Sequence, residues 1–317
     1  MSETAARLSV LKTYKLYVGG TFPRSESGRV YEVTDSKGAR SGTNGAAGKG
    51  AGKGAGKDAA GGRWLANAPL ASRKDARDAV AAARKAVAGW SGATAYNRGQ
   101  VLYRVAEMLE GRREQFAREV ADAEGLSKSK AAAVVDAAVD RWVWYAGWTD
   151  KIASVVGGAN PVAGPYFNLS TPEPTGVVAV LAPQDSSFLG LVSVLAPVIA
   201  TGNTAVLVAS ERAPLPALSL GEVLATSDVP GGVVNILSGR TAEIAAPLAA
   251  HRDVNALDLT GADPSLAAEL EAAAADNLKR VRRPAPAQAP EDWTADPGTS
   301  RLTSWLETKT VWHPIGV

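Results

Sequence analysis

The chain has 317 residues, 46% hydrophobic and 21% charged, enough for one large domain or two smaller ones. A formal net charge of +2 gives no global field for nucleic acid or an acidic membrane surface. With no cysteine, the sequence excludes disulfides, thiolate metal sites and a cysteine nucleophile, and its two histidines, His251 and His313, lie too far apart in sequence to suggest a His-rich metal site.

The N-terminal residues carry no apolar signal core, and no run approaches the ~18 apolar residues of a membrane span. The expectation is a cytoplasmic protein. The triplet Asn168-Leu169-Ser170 matches a glycosylation sequon, and without a secretion signal it reads as chance.

Residues 14–33 alternate apolar and polar around Gly19-Gly20, which predicts a small hairpin within an N-terminal unit of residues 1–35. Residues 36–62 are rich in glycine, alanine and lysine, with Lys49, Lys53 and Lys57 evenly spaced. They read as a flexible, solvated loop; a polyanion or phosphate contact is the sharper alternative. No Gly-Lys pair is followed by Ser or Thr, and no GxGxxG register occurs there, so neither phosphate-loop motif is present.

Ser72 is a candidate N-cap, with Asp75 at the capping-box position of a following alanine-rich helix. Further helices are predicted broadly over 95–124 and 128–150. Trp142, Trp144, Tyr145 and Trp148 gather on one side of the second of these, a spacing that favours core or interface packing over a ligand box.

Residues 175–239 then hold three short β-branched runs, 177–181, 205–208 and 233–237. Two apolar helix-length stretches, 189–200 and 215–225, lie between them. Gly202-Asn203-Thr204 and Pro230-Gly231-Gly232 punctuate the helix-to-strand junctions. The pattern is βαβαβ, a parallel sheet covered by helices. Another short strand is expected near 251–260 and a helix over 263–280. Residues 284–300 are proline- and alanine-rich and read as an extended linker.

The phrase LAPVIATGNTAVL, followed by a run ending in Glu211 and then by PGGVVNILSG, resembles the cofactor-binding core of the aldehyde dehydrogenase superfamily. The stretch WYAGWTDKI resembles the family's "YYAGWADKI" helix, and the segment around Gly19-Gly20 resembles its opening phrase. The resemblance implies an α/β fold: a Rossmann-like cofactor domain (63–154 and 175–283), with parallel sheet and flanking helices. To this it adds a small β oligomerisation element made of a hairpin, 155–174, and a C-terminal strand, 301–317. In the family, a phrase like "NLKRVTLELGGK" opens the catalytic domain. Here Asn277-Leu278-Lys279-Arg280-Val281 runs instead into the proline-rich linker, so the catalytic domain is expected to be missing from this chain.

By that resemblance, the chemistry is depleted. Aldehyde oxidation in the family requires a thiolate, a glutamate base, an oxyanion hole and a bound nicotinamide. Cysteine is absent, and so is the "ELGGK" phrase that carries the base. Asp185 stands where the oxyanion-hole asparagine of a "PWNFP" phrase would be, and a carboxylate repels a developing oxyanion. Of the "KPAE" phrase, Glu211 remains while Val208 replaces the lysine. Thr260 and Gly261 match the "FTGSTEVG" phrase, but Ala262 and Leu266 depart from it. Asp263 either repels a phosphate there or simply caps its own helix, and the cap is the preferred reading. Gly239 stands where a small residue would admit an adenine.

Glu211, Gly239, Thr260 and Gly261 are therefore expected to form a vestigial NAD(P) site. No cofactor is the first expectation, with weak NAD(P) binding the alternative. Leu302, Trp305, Leu306, Val311 and Trp312 are the candidate interface residues, with self-packing the competing reading. The expected function is a non-catalytic subunit that pairs with a full-length, active aldehyde dehydrogenase or with itself. An independent nucleotide-binding module and a weak aldehyde oxidoreductase are the alternatives. No nucleic-acid, membrane or metal partner is expected.

Overall fold

The computed structural model describes residues 10–35 and 62–316. The lysine-bearing part of the low-complexity insert, with Lys49, Lys53 and Lys57, lies outside the described residues.

Five parallel strands form the centre: β5 (Val177–Leu181), β6 (Thr204–Val208), β7 (Val234–Leu237), β8 (Ala256–Asp258) and β9 (Arg280–Arg282), in the order β7-β6-β5-β8-β9. Every residue of β5, β6 and β7 is buried. This burial on both faces is why these strands read as continuous apolar runs without alternation. One face carries α6 (Leu189–Ala200) and α7 (Leu215–Leu224), backed by α2 (Ala95–Glu110), α3 (Arg113–Glu124) and α4 (Lys128–Ala146). The other carries α1 (Arg73–Gly92), α8 (Thr241–Ala250) and α9 (Pro264–Ala275). The strand order runs outward from β5 in one direction through β6 and β7, and in the other through β8. The ends of β5 and β8 therefore flank the topological switch point.

A separate antiparallel sheet has the order β10-β4-β3, built from β3 (Gly158–Asn160), β4 (Tyr166–Pro174) and β10 (Leu306–Pro314). The short helix α5 (Ile152–Val156) leads into it. This is the sheet expected from residues 155–174 and 301–317.

Several expectations need correction. The hairpin predicted over 14–33 forms only over residues 16–23, where Val18 and Thr21 exchange backbone hydrogen bonds and the Leu16 amide donates to the Pro23 carbonyl. Gly19 and Gly20, both at positive φ, make a tight turn; Tyr17 bridges to Ile236 beside the sheet, while β1 (Val30–Thr34) pairs with β2 (Trp64–Pro69). The single helix expected over 95–124 is two, because the chain breaks at Gly111 and Arg112. The expected 263–280 helix stops at Ala275, after which β9 forms.

Residues 283–299 form no strand and, apart from turns at 286–289 and 292–295, no regular structure before α10, but they are not free. The buried Arg141 of α4 donates to the carbonyls of Trp293 (2.7 Å) and Ala295 (3.1 Å) and to Ser193 Oγ of α6 (3.0 Å). Trp293 packs against the core, and the segment is a strap laid across α4 and α6. The strap ends at α10 (Ser300–Thr303), where Leu302, Trp305 and Leu306 are 1%, 0% and 7% exposed. These three belong to this chain's own core and are withdrawn from the candidate interface. The reason is geometric: the chain leaves the core only after Leu306. The aromatic group of α4 packs as expected, with Trp142 and Tyr145 fully buried and Trp144 and Trp148 against the same cluster.

Candidate functional site

In an open parallel sheet, ligands bind beyond the C-terminal ends of the strands, at the switch point. Here that crevice is bounded by the loops after β5 (Ala182 to Ser187), β6 (Ala209 to Arg212), β7 (Ser238 to Arg240) and β8 (Leu259 to Asp263). Anion binding at such a place depends on backbone amides left open at the helix N-termini. At or just before three of the helix starts here, a carboxylate of the chain itself accepts a backbone amide.

Just before α6, Glu124 Oε1 accepts from both the amide and the hydroxyl of Ser187, each at 2.7 Å. Burial pushes the Glu124 carboxyl pKa up, and the Ser187 bonds pull the other way. Ser186 Oγ takes the Gly190 amide at 2.9 Å, one turn further on. At α8, Glu211 Oε2 accepts from the Thr241 amide (3.0 Å) while its Oε1 pairs with Arg240 Nη1 (2.5 Å). At α9, Asp263 Oδ1 accepts from the Leu266 amide (2.9 Å), so the capping reading of Asp263 holds. A dinucleotide's pyrophosphate would meet three carboxylates along this rim.

The individual site residues are placed as follows. Asp185 is exposed at the tip of the β5 loop and adds to the charge that raises the Glu124 pKa. Its neighbour Gln184 ties the β5 and β6 loops together: its Oε1 accepts from the Glu211 amide (2.9 Å) and its carbonyl from Ser210 Oγ (3.2 Å). Gly261 lets the β8 loop cross the end of β5. Its amide donates to the Leu181 carbonyl at 2.9 Å, and a Cβ there would lie 1.9 Å from the Ala182 oxygen. Gly239, at φ +148°, is enclosed by Ala71, Leu70 and Ile244, with a Cβ position 3.2 Å from the Ala71 nitrogen. Its smallness accommodates this chain's own segment after β2.

Thr260 belongs to a different arrangement. Its amide donates to Asp258 Oδ1 at 3.0 Å, and its hydroxyl bonds the same oxygen. The fully buried Asp258 Oδ2 receives Arg301 Nη1 at 2.9 Å, and Arg301 Nη2 reaches Thr260 Oγ1 at 3.3 Å and Glu291 Oε1 at 2.6 Å. The strap is thus clasped to the end of β8 beside the switch point. Asp185 and Glu211 come together through Gln184, Thr260 and Gly261 share the β8 loop, and Gly239 stands apart. Sequence reasoning missed Gln184, Glu124 and Arg301; each has a partner far off in the sequence, Glu211, Ser187 and Asp258 at 27, 63 and 43 residues, and so leaves no local signature.

At the other end of the molecule, Val311 and Trp312 are 45% and 59% exposed on opposite faces of β10, Val311 on the face of Phe167 and Leu169 of β4 and Trp312 opposite Asn168 on the other. Tyr166 meets Trp312 edge-on, with ring centroids 5.7 Å apart. Because β10 is the edge strand, the outer row of its backbone donors and acceptors has no strand neighbour among the described residues. No cluster of three metal-ligating side chains, and no helix long and apolar enough to cross a membrane, occurs among the described residues.

Comparison with known proteins agrees with this geometry. Residues 53–289 match the model of the aldehyde dehydrogenase family. An aldehyde dehydrogenase of Davidiella tassiana is 33% identical over 237 residues, covering 74% of this chain and 47% of that protein. Retinal dehydrogenase 2 of Gallus gallus is 31% identical over 279 residues, covering 86% of this chain and 48% of that one. Among solved structures, the NAD+ complex of an aldehyde dehydrogenase from Bacillus cereus superposes with a TM-score of 0.74 at 26% identity, over 85% of this chain and 50% of that chain. The chain spans about half the length of the curated relatives it matches.

Proposed function

The chain belongs to the aldehyde dehydrogenase family, and from that premise we propose that it serves as a non-catalytic subunit that assembles with a full-length, active aldehyde dehydrogenase. The observation that carries this reading is the β10-β4-β3 sheet, which leaves Phe167, Leu169, Val311 and Trp312 in solvent beside an open strand edge. A sheet of this kind adds a strand from a partner through backbone hydrogen bonds and buries its apolar side chains at the same time. The lack of any cysteine supports the non-catalytic half of the reading, because the family's thiolate has no counterpart in this sequence. The carboxylates at the starts of α6, α8 and α9 support weak nucleotide binding at best.

Co-purification from the native cell tests the assembly. An intact aldehyde dehydrogenase is expected to travel with the chain through size exclusion; a chain that elutes alone overturns the proposal. Turnover of an aldehyde by the purified chain with NAD+ or NADP+ would equally overturn it.

A second reading, a nucleotide-binding module, is favoured by the retained Glu211. It predicts a saturable calorimetric titration with NAD+ or NADP+ that weakens in Glu211→Gln. Flat titrations with both cofactors eliminate it.

A further inference from the structure

A groove far from the crevice carries a chemistry the family resemblance does not use. It lies between the first turns of α1 and the last turn of α8, a cavity of about 790 Å³, within the usual range for small-ligand sites. The crevice faces Thr241 at the start of α8, whereas this groove is formed at the other end of that helix, about 15 Å away for ten residues at 1.5 Å each. Its walls hold Arg73, Lys74, Arg77, His251 and Arg252, against one carboxylate, Glu26. The apolar surface it exposes is that of Pro247 and Ala250, over the buried Ala76 and Leu248.

The charges are unequally satisfied. Lys74 pairs with Glu26 at 2.8 Å and Arg77 with Asp78 at 2.7 Å. Arg73 and Arg252 have no ion-pair partner among the described residues. Asp75 does not supply one: it is 7% exposed and accepts from Ser25 Oγ and the amides of Glu26 and Ser72. The α1 N-terminus adds nothing of its own, because Ser72 and Asp75 form a closed capping box. His251 Nδ1 accepts from the Asp253 amide at 3.1 Å, which leaves Nε2 as the nitrogen free to donate to a ligand. On a chain whose net charge is only +2, this is a local excess of guanidinium groups around an apolar floor. Guanidinium forks match phosphate oxygens two at a time, and a floor of alkyl groups accepts a nonpolar body.

We propose that this groove binds a small organic phosphate, with the phosphate held by Arg73 and Arg252 and the organic portion seated on Pro247 and Ala250. The proposal is independent of the subunit reading and of the crevice.

Isothermal titration of the full chain at low salt, with inorganic pyrophosphate and with ADP as probes, tests it. Saturable binding of both is expected, with ADP the tighter because it also covers the floor. In Arg73→Gln/Arg252→Gln the affinity for both should fall roughly tenfold or more, since two charge-assisted contacts are lost, with thermal unfolding unchanged. Arg73→Lys/Arg252→Lys keeps the charge but loses the forks, and should fall between parent and double variant. Glu26→Gln removes the one repelling carboxylate and frees Lys74, so it should bind more tightly than the parent. Glu211→Gln, which alters the crevice, should leave both affinities unchanged. The proposal is overturned if neither probe gives saturable heat, if the Arg-to-Gln double variant binds as the parent does, or if only Glu211→Gln alters the binding.

Discussion

The central five-stranded sheet and the outer three-stranded sheet are both continuous hydrogen-bonded ladders, and they are oppositely solvated. β5 pairs with β6 over five residues, all buried on both faces between helix layers. β10 pairs with β4 over nine residues, of which only Leu306 on β10 is buried. The difference shows that strand pairing alone does not make a region self-sufficient. Hydrogen bonds contribute little net stability, because water offers the unfolded chain similar bonds, while burial of apolar surface supplies most of the drive. The central sheet is complete within one chain. The outer sheet holds its shape through its attachment to the core, and its faces remain available.

That attachment is where the comparison breaks most readily. The Trp305 carbonyl accepts from Asn203 Nδ2 (2.8 Å) and the Thr175 amide (3.2 Å), while its fully buried indole fills the core at the root of β10. Trp305→Ala is expected to cost about 3–5 kcal/mol through lost contacts and a cavity, measured by urea unfolding. The indole N–H has no partner, so Trp305→Phe should cost far less. Equal losses in the two variants would mean that the indole nitrogen, rather than ring volume, secures the root.

The Arg301 clasp comes next. Arg301 is 5% exposed between the fully buried Asp258 and the strap residue Glu291. Arg301→Met leaves Asp258 buried without its cation and is expected to cost about 3–5 kcal/mol in chemical unfolding. Adding Asp258→Leu should recover a large part of that loss, since a buried ion pair and a well-packed apolar pair differ little in net stability. If the second substitution only adds to the damage, the clasp is itself a net source of stability.

A smaller effect belongs to the helix layer behind the central sheet. Glu119 of α3 accepts from Ser219 Oγ (2.9 Å) and Gln115 Nε2 (3.0 Å), with Lys12 4.0 Å away and its second oxygen unpartnered. Burial pushes its carboxyl pKa up, against those hydrogen bonds and Lys12. The folded state therefore binds this proton more tightly than the unfolded chain does. Its contribution favours folding below the ordinary glutamate pKa and is lost as pH rises through the raised value. Glu119→Gln removes that ionisation, so the fall in Tm from pH 4 to pH 8 should become shallower. An unchanged slope would show that the carboxylate is fully compensated in the fold.

How far these features could be read from the sequence follows from the range of the interaction involved. The β5, β6 and β7 runs were legible because strands buried on both faces need apolar residues at every position. Ser72 with Asp75, and Asp263, were legible because a cap is a bond between residues two or three apart. The strap was legible only as a linker: what fixes it is Arg141, 152 residues before Trp293. Glu211 was legible as a carboxylate in the family's place. Its engagement by Arg240 and the Thr241 amide, 29 and 30 residues on, was not. Leu302 and Trp305, like Val311 and Trp312, pair an aliphatic residue with a tryptophan, and only the point at which the chain leaves the core separates the two pairs.

Trp312 makes the comparison sharpest with the smallest expected change in folding. It is 59% exposed, and its packing is confined to Tyr166 and its own sheet. Substituting an exposed residue away from core, caps and charge networks shifts stability by about 0.5 kcal/mol or less, so Trp312→Ser should unfold in urea as the parent does. Aromatic side chains at the centre of an interface, by contrast, carry a large share of its binding energy, with truncation costs of about 2 kcal/mol or more. If β10 is the edge that receives a partner, Trp312→Ser should keep its fold and release that partner, read as a shift to the monomer position in size exclusion of the co-purified complex. Paired with Trp305→Ala, which attacks the fold seven residues earlier, at the root of β10, it separates the role of a residue in the core from that of one in the interface. A Trp312→Ser chain that retains its partner would move the assembly surface away from β10 altogether.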